Sequence, residues 1–139
     1  MRSLLCVLSL GVFLVSCTNY GNKVKSGHIE TFYTYGITQA QAQRAADLLY
    51  RMDINAGNLP NEKSFQLNKK NDTVYLKMVV ADPNSTVVND FNFMAIGDFI
   101  SDSAFNGAPV NMDLSDKSFK TLRIIYYKRL TEEDIKNAK

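Results

Sequence analysis

Three aspartates stand close together in the second half of the chain: Asp98 and Asp102 are four residues apart, and Asp90 lies just before them. Positions i and i+4 share a face of a helix. Two carboxylates so placed are the arrangement a divalent cation or an acid/base dyad would use. The same spacing also describes a solvent-facing stripe. His28 is the only histidine. A zinc site takes three or four ligands, and no second histidine or cysteine stands near enough in sequence to help complete one, so His28 reads as an exposed linker residue. The chain has no Gly-rich phosphate loop and no serine in a nucleophile-elbow context. No metal and no cofactor is therefore expected. The chain is expected to be non-enzymatic, with a metal-dependent hydrolase built on Asp98 and Asp102 as the weakest of the alternatives.

Aromatic and apolar side chains are the remaining resource for recognition. Phe32, Tyr33 and Tyr35 crowd one expected strand, and Tyr126 and Tyr127 crowd another. If those strands were neighbours, Tyr33, Tyr35 and Tyr126 would line one sheet face able to hold a peptide, a glycan or a partner protein. Phe91, Met94 and Phe99 lie on an unusually apolar helix and suggest a second surface, or a ligand pocket between that helix and the sheet. Tyrosines half-buried at a sheet face, and a helix filled into the core, are the plainer readings of the same residues.

The N-terminus carries a more specific pattern. Arg2 precedes an apolar run of twelve residues, Leu4 to Val15. Spanning a bilayer takes roughly 20 apolar residues, so the run reads as a secretion signal. It ends in Leu14-Val15-Ser16-Cys17, which resembles the lipobox of bacterial lipoproteins. The resemblance implies that residues 1–16 are a signal peptide and that Cys17 becomes the lipid-bearing first residue. It implies anchoring in the cell envelope through that lipid, and Thr18 in place of aspartate after the cysteine implies the outer membrane. Two or more acyl chains give stable anchoring where one does not.

After removal of residues 1–16 the chain would hold 123 residues, a single-domain length. Cys6 leaves with the signal, so the domain has no cysteine pair. Its 16 Lys+Arg fall to 15 without Arg2, against 14 Asp+Glu. That balance argues against a nucleic-acid binder, which would need clustered positive charge.

The elements expected to position these residues follow from periodicity. Residues 17–27 are polar and glycine-containing, and are expected to be a lipidated terminus and flexible tether. An α+β domain is expected over 28–130, followed by a tail at 131–139 that forms one or two exposed helical turns or frays. Ile29 to Tyr35 reads as a strand. Thr38 with Gln41 forms a capping box opening a helix to about Met52, with Ala42, Ala45, Leu48, Leu49 and Met52 inward. Phe65 and Leu67, a turn at Lys70-Asn71-Asp72, then Val74, Leu76, Met78 and Val80 make a hairpin. A second helix is expected over Thr86 to Ala104, and strands around Val110–Leu114 and Leu122–Tyr126. The order is β-α-β-β-α-β-β: a mixed or antiparallel sheet with two helices on one face, as a ferredoxin-like variant or tandem αββ units. The function expected is that of a lipid-anchored protein-binding or scaffold module of the envelope. A small-ligand-binding lipoprotein is the alternative.

Overall fold

The computed structural model describes residues 19–139. Residues 1–16, expected to be a signal peptide, and Cys17 lie outside the described residues. The domain is α+β, with a mixed sheet of six strands and three helices. Its elements are β1 (Asn22–Ser26), β2 (Ile29–Tyr33), α1 (Gln39–Asn55), β3 (Lys63–Lys70), β4 (Thr73–Val79), α2 (Asp90–Phe105), β5 (Val110–Ser115), β6 (Thr121–Ile125) and α3 (Glu132–Asn137). A hairpin followed by a helix thus occurs three times.

Strand order in the sheet is the order in sequence, β1 to β6. Hairpin partners are antiparallel, and the strands joined through α1 and α2, β2–β3 and β4–β5, are parallel. In a ferredoxin-like split βαβ another strand separates the parallel pair. Here the two strands of each βαβ unit are direct neighbours, which corrects the ferredoxin-like expectation.

One further difference concerns the N-terminal end. Asn22–Ser26, expected in the tether, forms β1 and pairs with β2 from Asn22↔Tyr33 to Ser26↔Ile29. Its polar composition is that of an edge strand: Lys23 and Lys25 alternate with Val24, and only Val24 is buried. Edge lysines of this kind discourage pairing with another chain. At the other end Thr131 and Asp134 form a capping box that starts α3, which buries no residue.

Alternation places Ile29, Phe65, Leu67, Val74, Leu76, Val110, Met112 and Leu114 in one core cluster with Ala42, Ala45, Ala46, Leu48 and Leu49 of α1 and Ile100, Ala104 and Phe105 of α2. The capping box of Thr38 and Gln41 is present at the start of α1. α2 begins at Asp90, four residues later than expected. The side chain of Asn89 accepts hydrogen bonds from the backbone N–H groups of Phe91 and Asn92, while Asp82 to Val88 turns instead of coiling.

Small side chains let α2 sit close on the sheet. Gly97 and Ser101 are buried, and a Cβ placed on Gly97 would stand 2.7 Å from the backbone oxygen of Val110 in β5. On an exposed helical surface, Gly→Ala stabilises by about 1 kcal/mol. At this position Gly97→Ala is expected to reverse sign and destabilise by about 1–3 kcal/mol through overpacking. Urea denaturation of the two proteins measures the difference, and a stabilised variant would refute the close contact.

Candidate functional site

The aspartates of α2 are occupied. Arg129 reaches both Asp98 (3.0 Å) and Asp102 (2.7 Å). The Tyr127 hydroxyl donates to Asp98 Oδ1 at 3.1 Å, and the Leu130 N–H donates to Asp98 Oδ2 at 3.3 Å. Asp90 receives Arg123 through both carboxylate oxygens at 2.5 Å. These carboxylates therefore fasten β6 and the segment after it to α2. Among the described residues no group of three His, Cys, Asp or Glu is placed to hold a metal ion.

His28 is not an exposed linker residue. It forms the turn between β1 and β2, and its Nε2 lies 2.6 Å from Asp53 Oδ2 in the last turns of α1. The ring of Tyr50 meets it edge-on at 5.3 Å. Gly27 makes the approach possible: its φ is +54°, and a Cβ there would fall 2.3 Å from the Tyr50 ring. Asp53 also accepts from Asn58 Nδ2 at 2.8 Å and from Lys63 Nζ. The result is a polar staple joining the β1–β2 turn, the end of α1 and the start of β3. No hydroxyl or thiol hydrogen-bonds to His28 among the described residues, so the pair lacks the nucleophile a hydrolytic triad needs. Twenty-five residues separate His28 from Asp53, and no local pattern announces such a contact.

The tyrosine surface does not assemble. β2 and β6 are separated by β3, β4 and β5, because each crossover carries the chain outward in the same direction. Tyr33 is half-buried, and Tyr35 and Tyr126 are exposed at distant parts of the sheet. Phe91, Met94 and Phe99 do not line a common pocket either. Phe99 follows Gly97 by two residues, about 200° round the helix, so seating Gly97 on β5 turns Phe99 outward, where it is half exposed.

The groove that does form lies between α1 and α2. Its volume is about 710 Å³, and its apolar lining comprises Leu49 and Met52 of α1, Ala56 just after it, Phe65 of β3, Met78 and Val79 of β4, and Ile96 of α2. Asp53, Asn58, Glu62, Lys63, Ser64 and Lys117 complete the wall. Side-chain size accounts for its position. At one end Arg44 Nη2 donates to the Ala104 carbonyl at 3.2 Å, and Ala45, Ser101 and Ala104 are small. At the other end Leu49 and Met52 of α1 and Ile96 of α2, all larger, line the groove. Of these, Leu49 and Met52 are inward positions in the periodicity of the first helix, and Phe65 and Met78 are alternating positions of the hairpin.

Comparison with known proteins adds one finding. The family model AF_1994_N, described as a family N-terminal domain, matches residues 23–136, and the chain belongs to that family. The match runs from β1 into α3. No curated protein matches the chain. No solved structure matches it.

The staple has a pH signature. Burial would raise the carboxyl pKa of Asp53, but hydrogen bonds from Lys63, His28 and Asn58, together with the Lys63 charge, outweigh it and hold the group at about 2. A pKa lowered on folding contributes stability that is full above the unfolded value and is lost as pH falls through the folded one. The wild type is thus expected to lose about 1 kcal/mol more than Asp53→Asn between pH 5 and pH 2, after allowance for solvent screening. Urea midpoints of both proteins across that range check it. Parallel pH profiles would refute the contribution of the staple.

Proposed function

We propose that this domain is a lipid-anchored, non-enzymatic protein of the bacterial cell envelope that acts by binding, and that its working site is the groove between α1 and α2. The carrying observation is the groove itself. Pockets that hold small molecules span roughly 300–1,000 Å³ and are mainly apolar with a few placed polar groups, and this one has that size and lining. Its walls include Met52 and Met78, whose flexible thioethers adapt to ligands of varied shape. We take both helices to lie on one face of the sheet, since right-handed crossovers that advance the same way deliver them there. A small, elongated apolar molecule suits the open channel between them.

The anchor rests on the Leu14-Val15-Ser16-Cys17 pattern, and the absence of an aspartate after Cys17 favours the outer membrane. A protein partner is the second reading, favoured by Phe99, which is half exposed on α2 away from the sheet.

Two measurements test the reading. Ile96→Arg places a charge in the groove wall and is expected to weaken binding of the apolar fluorophore N-phenyl-1-naphthylamine by about tenfold, the scale of a lost 1.4 kcal/mol. Unchanged binding would remove the groove as the site. Metabolic labelling with a palmitate analogue is expected to mark the wild type and not Cys17→Ser, and equal labelling would overturn the anchor.

A further inference from the structure

Tyr20 is the residue by which the chain enters the fold, and it enters on the sheet face opposite the buried apolar row. The registers Lys23↔Phe32 and Phe32↔Gln66 place these three residues on the face that alternates with Val24, Thr31 and Phe65. The ring of Tyr20 meets Phe32 edge-on at 5.6 Å and Phe119 at 5.1 Å, and Phe32 and Phe119 stand 5.9 Å apart. The Tyr20 carbonyl accepts from Gln66 Nε2 at 2.9 Å. Phe119 itself is held in place, since Lys77 Nζ donates to its backbone oxygen at 2.9 Å.

Only three Cα–Cα steps separate Tyr20 from Cys17. At 3.8 Å per step they reach at most about 11 Å. A flexible tether of ten residues would have let the domain swing freely, but the docked Tyr20 leaves a leash too short for that. From this, and resting on the proposed lipidation of Cys17, we propose that the helix-free face of the sheet lies against the bilayer surface.

That face and its border carry both signs of charge. Lys23 and Lys25 are about half exposed, and Lys120, beside Phe119, is exposed. Lys23 Nζ also lies 5.8 Å from the Phe32 ring centroid. The nearby acids are Glu30, which pairs with Lys23 at 2.8 Å and Lys25 at 3.9 Å, Glu62, which pairs with Lys25 at 3.6 Å, and Asp116, which accepts from the Lys120 backbone N–H at 3.0 Å. Three lysines thus meet three acids, so these groups balance, and the short leash from Tyr20 to Cys17 is what sets the orientation. The groove is floored by Phe65 and Met78 on the other face, so it opens away from the lipid.

The lipidated full-length protein, reconstituted in vesicles of phosphatidylethanolamine and phosphatidylglycerol, tests the orientation. A fluorophore is attached at Lys120→Cys on the proposed membrane face, or at Arg51→Cys on α1, and quenched by lipids spin-labelled at the headgroup. Quenching is expected to be about threefold or more stronger at position 120, because that side is held within the leash length of the surface. A flexible Gly/Ser insertion between Thr18 and Asn19, which leaves the folded domain untouched, is expected to equalise the two positions while the protein still floats with the vesicles. Tyr20→Ser is expected to do the same. Equal quenching in the uninserted protein, or an asymmetry that survives the insertion, overturns the orientation alone. A protein that does not float with vesicles overturns the anchor and the orientation together.

Discussion

The close seating of α2 on β5 is the constraint on which the rest of the structure depends. Where Gly97 meets the Val110 backbone there is no room for a Cβ, and Ser101 donates to the Ala108 carbonyl at 2.7 Å. That contact fixes the rotation of α2 about its axis. Once it is fixed, Ile96 must face α1, Phe99 must face water, and Asp98 must face the chain that returns after β6. The groove and the carboxylate clamp are consequences of one helix rotation.

Most elements were legible in the sequence, because each is written in a local signal. The capping box at Thr38, the alternation from Phe65 to Met78, and the turn at Asn71 each announce themselves within a few residues. Asn71 adopts φ +54°, as the first position of a tight hairpin turn requires. β1 was not legible, because an edge strand guarded by lysines has the composition of a linker. Its partner, not its own residues, makes it a strand.

The site was less legible, for a related reason. Every contact that defines it crosses between elements. His28 with Asp53, Arg129 with Asp98, and Lys77 with Asp113 depend on strand order, and strand order is decided by the direction in which each crossover advances. The aspartates at i,i+4 share a helix face, but their task depends on Arg129, which reaches both from the segment after β6. The apolar excess of α2 was likewise visible in the sequence. The division of that excess between core, groove and solvent follows from Gly97, a residue that periodicity alone leaves unremarkable.

The two sheet faces have been given different chemistry by the same strands. One carries the large aliphatic side chains, which form the core cluster with residues of α1 and α2. The other carries Phe32, Gln66, Lys77 and Asp113. Lys77 is 3.2 Å from Asp113 with both side chains largely buried, and it also bonds the Phe119 carbonyl and the Thr121 hydroxyl. A buried pair seldom adds stability over an apolar substitute, so its retention fits a positioning role. Phe119 has φ +59°, an uncommon conformation for an aromatic residue, and the Lys77 bond to its carbonyl holds the backbone in it. Phe119 in turn completes the aromatic seat for Tyr20. A buried charge on β4 therefore decides where the N-terminal segment docks, and through it which side of the domain a lipid on Cys17 would face.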